Sequence, residues 1–186
     1  SARFTNHPEI QQRRGFAAFR RADSLEFKKM AVHYIPAKQE RIDIFAAFVA
    51  EVMSVIRKPP RTSPLQRSKL TDVPSTPGIY AIYEKGELIY VGESGCLKER
   101  IGDLFRTKNH SLRRSLGAER FRHFPGFVPA TTKQDFTAEV EAALNSLYQN
   151  CLSILIVPVE FGRKEIEEQF VDAGGNLRNK RGRRGR

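Results

Sequence analysis

Two phenols and a guanidinium fall at even intervals: Tyr80, Tyr90 ten residues on, and Arg100 ten residues after that. Tyrosine hydroxyls hydrogen-bond water or phosphate oxygens, and arginine offers a planar fork of donors that stays charged at any working pH. Together they suit an anion whose oxygens must be oriented and neutralised. They orient water and phosphate but hold no hard cation, which needs oxygen ligands such as carboxylates from elsewhere in the chain.

The charge balance selects the same kind of partner. The 186 residues include 32 Lys and Arg against 21 Asp and Glu, a formal net charge of +11. A small protein this basic usually meets nucleic acid; a membrane surface is the competing reading from charge alone. No apolar run approaches the ~18 residues of a spanning helix, and the first residues do not read as a signal peptide. Cys96 and Cys151 have neither metal-ligand spacing nor a disulfide framework. They are expected to be buried thiols in a reducing, cytoplasmic compartment.

The tyrosines sit in two β-like runs, 78–84 and 88–91, on either side of Lys85 and Gly86, and Gly86 tolerates the positive φ of a hairpin turn. Such a hairpin brings Tyr80 and Tyr90 to one face near one end. Residues 97–107 read as a helix with Leu97, Ile101, Leu104 and Phe105 on one face and Arg100 on its first turns. Upstream, Ile42, Phe45, Ala46, Val49, Val52, Met53 and Ile56 mark one face of a helix over 38–57, stopped by Lys58-Pro59-Pro60 and expected to pack on the same chain. Downstream, Ser111 is the expected cap of a short helix. A helix over 135–149, a buried strand over 152–160 and a helix over 162–171, stopped at Gly174-Gly175, complete the core. Phe121, Phe124 and Phe127 read as core, with base stacking as the alternative. The division predicted is an arm and helix over 1–60, a linker over 61–76, a core domain over 77–180 and a basic tail over 181–186. In the arm, Arg13-Arg14 and Arg20-Arg21 read as a solvated terminus or a phosphate-touching segment. The fold class is α+β: a small mixed or antiparallel three-stranded sheet flanked by helices, with an N-terminal helical extension.

Gly78-Ile79-Tyr80 and Tyr90-Val91-Gly92 on the first two strands, Arg100 after the second, Glu167 in a Glu-x-x-apolar-apolar pattern on a late helix, and Asn179 twelve residues further resemble the GIY-YIG nuclease family over roughly 74–179. The resemblance implies a Mg²⁺-dependent endonuclease that hydrolyses DNA phosphodiester bonds by direct attack of water, with Mn²⁺ as a substitute ion. It assigns catalytic roles to Tyr80, Tyr90, Arg100, Glu167 and Asn179, and the metal to Glu167. One carboxylate suffices because Mg²⁺ keeps several waters. Glu165 and Glu168 are nearby alternatives, and Asn176 is the alternative to Asn179. In the family the first tyrosine is proposed to deprotonate the attacking water. A free phenol titrates at ~10, so this role needs a cation beside it, and Arg100, Lys85 and Lys98 all qualify. Gly92 is expected to let backbone approach closely at the strand end. The histidine that many members carry one turn after the arginine is Leu104 here; His110 follows six residues later, on the next loop.

The residues expected to meet DNA are Lys85, Ser94, Lys98, Arg106, Lys108, His110, Arg113 and Arg114. The compact build is similar to small type II restriction enzymes of the family, with a mobile-element nuclease as the next choice. The implied partner is double-stranded DNA, met by a monomer or homodimer and without a membrane. A nucleic-acid-binding module that keeps the fold but cuts nothing is the competing reading, and Leu104 favours it.

Overall fold

The two runs around Lys85 and Gly86 form the hairpin that organises the chain. In the computed structural model, which describes residues 38–60, 65–174 and 177–179, β1 (Gly78–Glu84) pairs antiparallel with β2 (Glu87–Ser94). The turn holds Lys85 at φ 52° and Gly86 at φ 85°, the paired positive values that match the twist of two-residue hairpins. β3 (Leu152–Pro158) pairs antiparallel with the other side of β1, so the order is β2-β1-β3 and the sheet is wholly antiparallel. Five α-helices are found among the described residues: α1 (Gln39–Ile56), α2 (Leu97–Asp103), α3 (Ser111–Phe121), α4 (Ala138–Cys151) and α5 (Arg163–Asp172). The α+β class is as the sequence implies. The basic pairs of the arm, Asn176 and the tail over 181–186 lie outside the described residues.

Contacts divide the chain into residues 1–42 and 43–186. The second unit holds the sheet, and its core has two layers. Ile79, Ala81, Tyr83 and Val91 face α1 and α5, meeting Val49, Val52, Met53, Ile56, Ile166 and Phe170. Tyr80, Ile82, Ile89 and Tyr90 face α2, α3 and α4, meeting Leu97, Ile101, Leu112, Leu116, Val140, Leu144 and Tyr148. A register shift between Ile82 and Tyr83 marks a bulge that turns both Ile89 and Tyr90 to this second face. Being covered on both sides, β1 is buried along nearly its whole length.

Several sequence expectations change. The apolar face of α1 packs on its own chain, as expected, but the boundary at 61–76 does not hold. Leu65 and Val73 are buried, and the Leu65 amide donates to the Leu152 carbonyl at 2.6 Å, so the core begins before residue 77. β3 is half-buried rather than buried, because it is an edge strand. α2 stops at Asp103 instead of 107. The amides of Leu104, Phe105 and Arg106 bond three residues back, and Asn109 Nδ2 donates to Asp103 Oδ1 at 2.7 Å, closing the chain into tight turns. Both cysteines are half-buried free thiols.

Arg113 is the clearest correction. Its side chain is 1% exposed, so it presents no charge to DNA. Nε donates to Thr107 Oγ1 at 2.9 Å, and Nη2 donates to Glu141 Oε2 at 2.7 Å and to Asn145 Oδ1 at 2.8 Å. These bonds clip the segment after α2 to α4. A buried arginine survives there because its charge and most of its donors are matched.

Candidate functional site

The strand register sets Tyr80 opposite Gly92 and Tyr90 opposite Ile82. The two tyrosines are therefore diagonal neighbours on one face, with ring centroids 5.9 Å apart. A Cβ on Gly92 would lie 2.4 Å from the Tyr80 hydroxyl oxygen. The close approach that requires a glycine is thus made by the Tyr80 ring, whereas the sequence assigned it to an incoming backbone. Gly92→Ala is expected to destabilise the protein by ~1–3 kcal/mol through overpacking and to push Tyr80 out of place. A urea melt alongside a cleavage assay checks both effects, and a variant matching wild type in both would refute them.

Arg100 rises from α2 and donates from Nε to the Tyr80 hydroxyl at 3.0 Å. On the other side, His110 Nε2 lies 2.9 Å from the same oxygen. The His110 ring meets both tyrosines edge-on, at 6.0 Å from Tyr80 and 5.5 Å from Tyr90. His110, not Ser111, is the N-cap of α3, and its side chain accepts from the Leu112 amide at 3.3 Å. A capping histidine is outside the usual Ser, Thr, Asp and Asn set, which is why the sequence pointed to its neighbour. The imidazole is fully buried, so His110 belongs to the tyrosine cluster and not to a DNA-contacting surface. Leu104 is buried in the core, one turn beyond Arg100. The histidine found beside Tyr80 is His110, from the loop that follows.

Burial governs the electrostatics. Tyr80 is 0% exposed and Tyr90 5%. Burial pushes the Tyr80 phenol far above its ordinary range; Tyr90 adds to the rise and Arg100 opposes it. Of the three cations considered for lowering it, Arg100 is the one in place. Lys85 is exposed at the hairpin turn, five residues along β1 from Tyr80 and roughly 16 Å away at strand spacing. Lys98 is exposed on α2. Burial pushes the His110 imidazole down to about 3, with Arg100 and Arg114 adding to the fall, so it is neutral at any ordinary pH.

Glu167 projects from α5 and Asn179 from the segment beyond it. Asn179 Nδ2 donates to Glu167 Oε1 at 3.3 Å and also to the Val91 carbonyl, while Asn179 Oδ1 accepts from the Val91 amide at 3.1 Å. The Arg178 amide donates to the Ile89 carbonyl at 2.7 Å, and the Arg178 side chain pairs with Glu119. Residues 178 and 179 therefore continue the hydrogen-bond ladder along the free edge of β2. Burial raises the Glu167 carboxyl above the usual range; Glu93 and Glu168 add to the rise, while Arg100 and Asn179 pull it down. Arg100 thus hydrogen-bonds Tyr80 beside Tyr90 and acts on Glu167 through its charge, while Glu167 and Asn179 form a second bonded pair.

Glu93 was not singled out in the sequence, although strand alternation puts it on the face of Val91, toward α5. Its carboxylate lies 3.4 Å from Arg163 Nε. Among the described residues no three His, Cys, Asp or Glu side chains cluster as a metal cage. Mg²⁺ held by one carboxylate and waters needs none. A half-buried carboxylate repelled by a neighbouring carboxylate is a site that one divalent cation relieves, so Glu167 fits that role.

The remaining DNA-contact set is dispersed. Lys85, Lys98, Arg106 and Lys108 are exposed, and Lys108 pairs with Asp135 at 3.0 Å. Arg114 Nη1 donates to the Thr107 and Lys108 carbonyls at 2.9 and 2.7 Å. Ser94 Oγ bonds the backbone of Cys96 and shapes the entry to α2. Arg106, Lys108 and Asn109 line a depression of about 380 Å³ beside the end of α2. No helix among the described residues is long and apolar enough to cross a membrane.

No protein-family model matches this chain, nor does any curated protein or solved structure.

Proposed function

We propose that this protein is a metal-dependent endonuclease of the GIY-YIG kind that hydrolyses DNA phosphodiester bonds. The reading rests on one observation: Tyr80 and Arg100 share a hydrogen bond while Glu167, tied to Asn179 and β2, sits within the field of the same guanidinium. With Nε committed to Tyr80, Arg100 has its terminal amines left for Tyr90 and a phosphate oxygen. Those donors neutralise charge that builds on the phosphate as water attacks. A Mg²⁺ held by Glu167 would supply further positive charge and a water of lowered pKa. Asn179 ties the Glu167 carboxylate to the edge of β2, where the Arg100 charge still acts on it. The net charge of +11 favours a polyanionic substrate. By size and layout we place it with stand-alone, restriction-type or mobile-element nucleases, acting on double-stranded DNA as a monomer or homodimer.

The burial of Tyr80 favours a second reading, a DNA-binding module that does not cut. Incubating supercoiled plasmid with Mg²⁺ separates the two. The nuclease reading expects nicking by wild type and losses of ~10²–10³ for Arg100→Ala, with Glu167→Ala also losing its dependence on metal. Wild type that nicks no faster than either variant, over several DNA substrates, sinks the enzyme reading. Retained, salt-sensitive binding in that case supports the module.

A further inference from the structure

We propose that His110 is a permanent N–H donor to Tyr80, and that with Arg100 it makes Tyr80 an anchor for the guanidinium and not the acceptor of a proton from water. The inference about function rests on the nuclease reading; the inference about hydrogen-bond direction does not.

The directions follow from what each group has to give. The Leu112 backbone amide can only donate, so His110 Nδ1, 3.3 Å away, must hold a lone pair. A neutral imidazole has one N–H, which is then on Nε2, 2.9 Å from the Tyr80 oxygen. Arg100 Nε has no acceptor capacity and also donates to that oxygen, at 3.0 Å. A phenol oxygen has two lone pairs and one proton. With both lone pairs engaged, the hydroxyl proton is all that Tyr80 can still offer, and it must point in the third direction. The groups facing Tyr80 are Tyr90 from β2, Arg100 from α2 and His110 from the loop before α3; Arg114 from α3 acts on His110. Among the described residues, no carboxylate acts on Tyr80 to draw the proton away. Burial agrees: Tyr80 is 0% exposed, so the substrate meets Arg100 first and Tyr80 behind it.

His110 and Tyr80 are therefore positioning residues for Arg100. Leu112 fixes the imidazole tautomer, the imidazole fixes the phenol, and the phenol fixes the guanidinium. The sequence puts a leucine where relatives of this layout often carry their histidine, and a residue from the next loop takes up the contact with Tyr80.

A long-range ¹H–¹⁵N correlation spectrum of the full chain reads the tautomer directly. The expected result is one proton on Nε2 and none on Nδ1, unchanged from about pH 5 to about pH 9. An Nδ1–H tautomer, or titration near the ordinary ~6.5, overturns the proposal. The functional arm compares two variants in plasmid nicking. His110→Gln retains an N–H donor and should keep kcat close to wild type. His110→Leu should lose ~10²-fold in kcat through displacement of Arg100, without a change in the shape of the pH profile. A His110→Leu variant as fast as wild type overturns the positioning role. If wild type nicks no DNA at all, the nuclease reading fails, and the spectrum still decides the direction of the hydrogen bonds.

Discussion

Glu167→Gln is expected to melt above wild type at neutral pH in the absence of divalent metal, and to nick no plasmid in its presence. The native Glu167 carboxyl is raised by burial and by Glu93, against the pull of Arg100 and Asn179. A carboxyl raised on folding binds its proton more tightly in the native state than in the unfolded chain. Its ionisation therefore costs native stability: the cost is absent below the unfolded value of ~4.3 and grows as pH rises through the native one. Glutamine removes the charge but keeps an oxygen that accepts from Asn179 Nδ2. The advantage of the variant should shrink on acidification and vanish where Glu167 is protonated in both states. Mg²⁺ should act in the opposite direction. Bound only to the native wild type, it adds ~2.7 kcal/mol at a hundred times its dissociation constant, and the variant should gain nothing. Thermal melts across pH, with and without Mg²⁺, test this. A metal-free variant that melts lower than wild type at neutral pH would show that the carboxylate is not under strain. Such strain at a site that gains a ligand is the usual exchange between stability and function.

The parts of this site legible in the sequence are those fixed by local rules. The turn glycine Gly86 and the β-like runs flanking it determine the hairpin, but the common face of Tyr80 and Tyr90 also needs the bulge between Ile82 and Tyr83, which simple alternation does not supply. Helical periodicity places Arg100 at the start of α2, where it reaches Tyr80. What was not legible depends on long-range packing. Gly92 reads as an open strand end until the Tyr80 ring is seen to lie across it. Arg113 looks like its exposed neighbours, because nothing local foretells Glu141 and Asn145 converging from α4. His110 sits in a basic run, and its burial depends on α3 turning back over the tyrosines. Asn179 was legible as a partner for Glu167. Its second task, completing the edge of β2 through Val91, required the ladder to be seen.

A second large effect concerns acid. Wild type should lose stability as pH falls below ~6.5, the ordinary histidine value, and His110→Gln should lose much less over the same range. His110 is neutral in the fold, its imidazole pushed down to about 3 by burial, with Arg100 and Arg114 adding to the fall. The unfolded chain binds a proton that the native state refuses. A histidine depressed on folding thus contributes stability that is fully present above the unfolded value and is lost progressively toward the native one. At ~1.36 kcal/mol per pH unit, the loss between pH 6.5 and pH 4.5 is at most about 2.7 kcal/mol. A tertiary structure that opens around His110 takes Tyr80 and Arg100 with it, since both hydrogen bonds to the phenol belong to the same cluster. Glu167 works against this trend, because its protonation as pH falls relieves first the cost of burying its charge and then the repulsion from Glu93. Wild type should therefore show a shallower decline than His110 alone predicts. The Glu167→Gln background, with that relief removed, should show the steeper one. Urea unfolding of wild type, His110→Gln, Glu167→Gln and the double variant at several pH values isolates the two contributions. Parallel pH dependence for wild type and His110→Gln would mean that the histidine protonates in the fold, and that the neutral tautomer with its Nδ1 lone pair toward the Leu112 amide is wrong.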